Sequence, residues 1–401
     1  MCPLHAPKPA FGIAQQEILT FSTNVQEQSW GADTRLQRRT WMKGLLATGL
    51  WKAGGALAQG ENTRNPVIAQ VVDMSPGQQD VSRDFLTGSR AAWQDINARG
   101  GIQGRPVQHV VLETDGTAAQ VQSAWQTAYR MSQCVALAGC VGHQVASLLA
   151  RHQSSTDATN PLPLIAPWLH QTLASSTTDT VFDVFADQRA QITHALKSLA
   201  SMGVTELGVA YSAGQDTTQA QQSVSQAAQE QNVKVRPVGN GSSLAQPIVL
   251  FIGGTPELHA FLGKLKLPAG RQCYVIALAD VNLQVLAQMG GLPPRISVIA
   301  TQTVPLVTSS IAIVRSYRET LARLYDEPPS PQGLAGFIAA RYTAEVLQQT
   351  SGALQRSAVL SSLQQRRSVN LGGWNVSYQD KKRLAAFVTQ SMLSPDGRIV
   401  G

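Results

Sequence analysis

Between residues 66 and 305, short apolar runs alternate with longer amphipathic stretches. Val67 to Val72, Val107 to Leu112, Val135 to Val141, Leu164-Ile165, Leu207 to Tyr211, Val233 to Val235, Ile248 to Ile252, Tyr274 to Leu278 and Ile296 to Ala300 all have strand length. They are rich in Val and Ile and do not alternate apolar with polar, the pattern of parallel strands covered on both faces. Helical periodicity fills the gaps. In Asp80 to Asn97, Phe85, Leu86, Ala92, Trp93 and Ile96 share one face, and Gly100-Gly101 ends the helix. Ala118 to Ser132, Val145 to His152, Gln188 to Met202, Thr217 to Gln231 and Pro256 to Leu265 continue the series.

Strand–helix repetition predicts right-handed crossovers and a doubly wound α/β fold. Roughly nine such units exceed one five- or six-stranded sheet, so two sheets and two lobes are expected. The last hundred residues change character. Helices are expected at Ser309 to Tyr325, Pro331 to Thr350 and Gln355 to Gln365. Short antiparallel strands are expected around Gly372 to Val376, Leu384 to Gln390 and Arg398 to Val400.

The first 58 residues follow a different logic. Residues 1–34 show no periodicity. Gln37-Arg38-Arg39-Thr40-Trp41-Met42-Lys43 then precedes the short apolar run Gly44 to Trp51 and a small-x-small tripeptide, Ala56-Leu57-Ala58. Paired arginines ahead of such a run resemble a twin-arginine export signal. The run falls well short of the ~20 residues that span a bilayer. The expectation is an export leader with an N-terminal extension over residues 1–58, cleavage after Ala58, and a periplasmic mature chain. The leader holds six cations (Lys8, Arg35, Arg38, Arg39, Lys43, Lys52) against Glu17, Glu27 and Asp33, so +4 of the formal +7 belongs to the remainder. Later Lys and Arg do not cluster with aromatics, so no nucleic-acid partner is expected. The membrane is expected to be reached only through a partner.

Cysteine usage fits a chain that folds before export. Cys134 and Cys140 flank a strand-like run whose ends lie about 20 Å apart, beyond the ~7 Å a disulfide tolerates. Cys134, Cys140 and Cys273 are therefore expected as buried free thiols, with Cys2 in the leader. Neither the cysteines nor His109, His152, His170, His194 and His259 have metal-ligand spacing. The chain carries no Gly-x-Ser-x-Gly elbow, no phosphate-binding loop and no His-Glu-x-x-His. No metal, cofactor or catalytic residue is therefore expected.

Several segments resemble the leucine-binding-protein family of transport receptors, the type I periplasmic-binding fold. The longest is Gly88 to Val107, which ends Ile96-Asn97-Ala98-Arg99-Gly100-Gly101-Ile102-Gln103-Gly104-Arg105. Pro163 to Pro167, Val181 to Phe185, Ser198 to Val204 with Leu207 to Tyr211, Gly336 to Arg341, and Leu371 to Gly373 follow in the family's order. The resemblance covers about residues 66–400. It implies two parallel-sheet lobes joined by a three-crossover hinge, with lobe 1 at 66–184 and 306–355 and lobe 2 at 185–305 and 356–401. It also implies a small polar solute (an amino acid, amide or organic acid) held between strand ends and passed to an ABC permease. A sensor that acts on a signalling partner is the other reading.

Loops after strands would supply the contacts, because strand ends and helix N-termini present free N–H groups to a cleft. In lobe 1 these are Ser75 and Gln78, then Gly142, His143 and Gln144, then Pro167 and Trp168. In lobe 2 they are Asp187, Gln188, Ser212 and Asp280. Amino-acid-binding relatives often carry small hydroxyl residues where His143 and Gln144 stand. Here Ser212-Ala213-Gly214-Gln215 replaces the family's acidic-aromatic-Gly signature. These departures count against an ordinary branched-chain amino acid as the solute. Asp187 or Asp280 would be available to a cationic group. Trp168 is expected either to wall the site or to sit in the core, and Asp280 either to contact solute or to cap a helix.

Overall fold

The computed structural model describes residues 65–142, 144–155, 160–168, 179–212, 217–239, 244–379, 382–383 and 387–401. The leader, Cys2, His143, His170 and residues 213–215 lie outside that set. The described residues fall within one compact unit.

The first lobe is built from β1 (Val67–Asp73), α1 (Gln79–Ala98), β2 (Gln108–Thr114), α2 (Ala118–Arg130), β3 (Cys134–Ala138), α3 (Val145–Ser155), β4 (Leu164–Ile165) and β5 (Val181–Phe182). The strands pair in the order β2-β1-β3-β4-β5, all parallel. β1 is buried over its full length, as a central strand covered on both faces must be.

The second lobe runs through α4 (Gln188–Ser201), β6 (Glu206–Tyr211), α5 (Thr218–Glu230), β7 (Lys234–Pro237), β8 (Ile248–Ile252), α6 (Thr255–Lys264), β9 (Cys273–Ala277), α7 (Leu283–Gln288) and β10 (Ile296–Gln302). The chain then continues as α8 (Ala312–Leu324), α9 (Pro331–Gln349), α10 (Arg356–Gln364), β11 (Val369–Asn370), β12 (Asn375–Val376), β13 (Tyr378–Gln379), β14 (Lys382–Arg383), β15 (Thr389–Leu393) and β16 (Ile399–Val400). The second sheet has the order β16-β15-β10-β9-β8-β6-β7. Its body is parallel, and β15 and β16 close one edge antiparallel. The two sheets are separate, and each is doubly wound.

The lobe boundary drawn from sequence needs one correction. Residues 356–376 pack on the first lobe. Val359, Leu363, Val369, Leu371, Trp374 and Val376 share a core with Phe85, Phe337 and Ile338. The buried guanidinium of Arg356 donates to the carbonyls of Cys134 (2.8 Å), Tyr129 (2.7 Å) and Met131 (3.0 Å), where α2 ends and β3 begins. Only β15 and β16 join the second sheet. The chain therefore passes between lobes at 183–187, at 303–311, and again between Val376 and Thr389.

Small residues set the spacing of the first lobe. α1 and α9 cross so closely that a Cβ on Gly88 would sit 1.7 Å from the Gly333 carbonyl oxygen, and one on Gly336 would sit 1.8 Å from that of Phe85. The Ser89 hydroxyl spans the crossing, within hydrogen-bond distance of the carbonyls of Phe85 and Gly336. Cys134, Cys140 and Cys273 are buried free thiols, and burial pushes them to about 11, 12 and 11 respectively. No described helix is long and apolar enough to cross a membrane.

Candidate functional site

The C-terminal ends of both parallel sheets meet at one seam, where open α/β sheets place ligands. On the first lobe it is formed by the β1–α1 loop, the first two turns of α1, and the loop after β4. On the second it is formed by the β8–α6 and β9–α7 loops.

Direct hydrogen bonds cross the seam. Thr255 Oγ1 donates to Asp80 Oδ2 at 2.5 Å and accepts the Asn282 backbone N–H at 2.9 Å. Asn282 Nδ2 donates to Asp84 Oδ2 at 3.0 Å. Gln332 Nε2, in the first turn of α9, reaches the Ala279 carbonyl at 3.1 Å, and Gln284 Nε2 reaches the Pro329 carbonyl at 2.8 Å. Trp168 Nε1 donates to Asp280 Oδ1 at 3.0 Å.

That last bond pairs two residues singled out separately from the sequence. Trp168 is 4% exposed and packs against Phe85 and Phe185 at ring-centroid distances of 5.8 and 5.6 Å. Its indole is thus both a core aromatic and the end of a bridge between lobes. Asp280 does not cap the helix that follows. Asn282 does so, with Oδ1 accepting the N–H groups of Gln284 and Val285.

The remaining candidates fall into three groups. Ser75 and Gly142 surround Asp73 at the end of β1. The Ser75 N–H donates to Asp73 Oδ1 at 2.9 Å. Gly142 has φ 141, and a Cβ there would lie 2.3 Å from that of Asp73, so only glycine fits. Gln144 immediately precedes α3, its carbonyl accepting the Leu148 N–H, and Pro167 is buried beside Trp168. Asp187 caps α4 by accepting the Ala190 N–H at 2.8 Å, and Gln188 follows it. One turn on, Gln191 Oε1 accepts from the Ala279 N–H and the Thr301 hydroxyl, which ties α4 to the loop that carries Asp280.

Gln78 and Ser212 form the third group, with two acids the sequence reading did not single out. Gln78 and Ser212 are 4% and 8% exposed, yet Gln78 Oε1 and Ser212 Oγ have no protein hydrogen-bond partner. Asp80 Oδ1 and Glu257 Oε2 are buried in the same condition. The glycines locate them together. A Cβ on Gly254 would lie 2.8 Å from Glu257 Oε2, 2.9 Å from the Gly77 carbonyl and 3.9 Å from Gln78 Nε2. A Cβ on Gly253 would lie 2.8 Å from Ser212 Cβ. The signal for Glu257 was present in Gly253-Gly254-Thr255-Pro256-Glu257, a glycine pair that lets a strand end approach the cleft and an acid in the first helical turn.

Buried polar atoms are normally satisfied. Four oxygens able to accept hydrogen bonds, from loops of both lobes along this seam, have no protein donor. Burial raises the carboxyls of Asp80 and Asp84 above their usual range, against the pull of Thr255 on the first and of Ser330 and Asn282 on the second. Among the described residues no group of His, Cys, Asp and Glu has the arrangement of a metal site.

No curated protein matches the sequence. Solved structures do match in fold. A substrate-binding periplasmic protein from Ralstonia solanacearum is 20% identical and covers 84% of this chain and 99% of its own, with a TM-score of 0.71. The leucine binding protein LivK from Thermotoga maritima is 15% identical, covering 83% and 97%, with a TM-score of 0.67. A fatty acid ABC transporter substrate-binding protein from Thermomonospora curvata is 14% identical, covering 85% and 92%, with a TM-score of 0.67. A family model described as "Periplasmic binding protein" matches residues 67–386. With two doubly wound lobes facing each other across a polar seam, the chain belongs to the periplasmic binding protein family and has its type I, leucine-binding-protein-like fold.

Proposed function

We propose that the protein captures one small polar solute between its lobes by hinge closure, without converting it, and delivers it to an ABC permease. The observation that carries this reading is the set of unpartnered buried oxygens on Gln78, Asp80, Ser212 and Glu257, drawn from both lobes. All can accept hydrogen bonds, and two belong to carboxyl groups. The solute class that suits them is an amino acid, amide or amine-bearing acid that presents N–H donors to this corner.

The ligands named for two of these neighbours, leucine and a fatty acid, mark a range that this fold serves. Trp168 fills space beside the loop after β4 with a large indole, and this favours a compact solute. Closure is the step at which donors reach both lobes at once, and the closed form is the one a permease would engage. The twin-arginine-like leader supports export to the periplasm with cleavage after Ala58.

A thermal-shift screen with amino acids, amides, urea and aromatic acids tests the reading. A solute at 100 times its Kd adds about 2.7 kcal/mol of stability. Glu257→Gln and Gln78→Ala should each reduce the shift at a fixed solute concentration. A full shift in both variants would place the solute elsewhere.

A further inference from the structure

We infer that closure of the two lobes is coupled to proton uptake, so that the chain closes more readily in acid even with no solute present. The carriers are Asp80 and Asp84, one turn apart on the lobe-facing side of α1. Their partners across the seam are Thr255 at 2.5 Å and Asn282 at 3.0 Å.

These are neutral partners, so each bond survives protonation of the far carboxyl oxygen. Among the described residues no cation pairs with either carboxylate. The charged groups that act on Asp80 and Asp84 are acids: Glu257 of α6 on Asp80, Glu327 of the α8–α9 connection on Asp84, and Asp80 on Asp84. Tyr317 of α8 also faces Asp84 and is itself pushed up to about 12. Ser330, at the N-terminus of α9, contributes only a hydroxyl. Arg83, between the two acids in sequence, is exposed to solvent.

Bringing lobe 2 onto α1 therefore sets Thr255 and Glu257 against Asp80 and Asn282 against Asp84, with no cation among the described groups found to act on them. Separation of the lobes takes Thr255 and Glu257 from Asp80 and Asn282 from Asp84, and opens that side of both carboxyls to water. The closed state thus holds its protons to higher pH than the open state, in agreement with the raised direction found for both groups. The sign follows from linkage. Closure is favoured as pH falls toward the range of a free carboxyl and is penalised as pH rises through the closed-state values. Each acid that takes up a proton steepens the closing constant by up to about tenfold per pH unit within that window.

Small-angle X-ray scattering of the solute-free chain from pH 7.5 to pH 4.5 tests the coupling, with near-UV circular dichroism at each pH to certify the fold. The radius of gyration should fall with pH in the wild type. Asp80→Asn with Asp84→Asn imitates the protonated pair and should stay compact across the range. Each single substitution should keep about half of the slope in the logarithm of the closing constant. Asp396→Asn, which changes an exposed acid on the terminal hairpin, should keep all of it. A wild-type radius that does not change with pH, or a double variant that tracks the wild type, overturns the inference. Because no solute is added, either failure leaves the thermal-shift result standing, and a failed thermal-shift screen leaves this one standing.

Discussion

Protonation of His109 should cost the fold about 3 kcal/mol. The ring lies on β2 beside Gln70, a fully buried residue of β1. Gln70 Nε2 donates to the Gly139 carbonyl at 2.7 Å, which leaves its Oε1 to accept, and His109 Nε2 lies 2.8 Å from that oxygen. The imidazole therefore donates from Nε2. Burial, with the Arg90 charge adding to it, lowers the group from 6.5 to about 4.

The folded-state value is depressed, so the stabilising contribution is complete above the unfolded-state value of about 6.5. It is lost as pH falls from there to about 4. A difference of roughly 2.5 units at 1.36 kcal/mol per unit gives about 3.4 kcal/mol at the acid end. Urea unfolding of the wild type and His109→Gln at pH 7.5, 6, 5 and 4 isolates this effect, because the other acids cancel in the difference. The stability gap between the two should shift by about 3 kcal/mol in favour of the variant as pH drops. Two curves that run parallel within about 0.5 kcal/mol would refute the assignment of a neutral, half-buried imidazole.

Three further outcomes follow from packing. Gly88→Ala forces a methyl group into the Gly333 backbone, and overpacking of this kind costs about 3 kcal/mol or more; thermal unfolding reads the loss, and a wild-type midpoint would show that α1 and α9 do not cross this closely. Arg356→Ala removes three bonds to carbonyl oxygens and the stacking on Tyr129 at 4.8 Å, for an expected loss of about 3 kcal/mol in urea unfolding, and Arg356→Lys should recover only part of it. Cys134, Cys140 and Cys273 should resist iodoacetamide at pH 8 until denaturant is added, as peptide mass spectrometry would report, since burial keeps all three as thiols.

The fold was legible because strands covered on both faces must be apolar at every position. Val67 to Val72 and Ile248 to Ile252 announce themselves in that way. Elements with little periodicity were not legible. β5 is two residues long and α7 six, too short for either period to repeat. α10 was assigned to the wrong lobe because the anchor that decides its place, Arg356 on the carbonyls of residues 129–134, spans more than two hundred positions of sequence.

The site was legible in its loops but not in its pairings. Trp168 and Asp280 were both named, 112 residues apart, without the bond that joins them. Asp80 and Glu257 read locally as ordinary first-turn acids of helices. Only the meeting of two lobes leaves their oxygens buried and without donors.

Enclosure of a solute by lobe movement is tested most directly by the distance between spin labels on two exposed helical positions, Gln122→Cys on α2 and Gln229→Cys on α5. Titration with a solute identified in the thermal-shift screen should shift and narrow the distance distribution, saturating at one solute per chain, and Glu257→Gln should move the titration to higher concentration. A distribution that stays unchanged while that solute binds would contradict capture by closure.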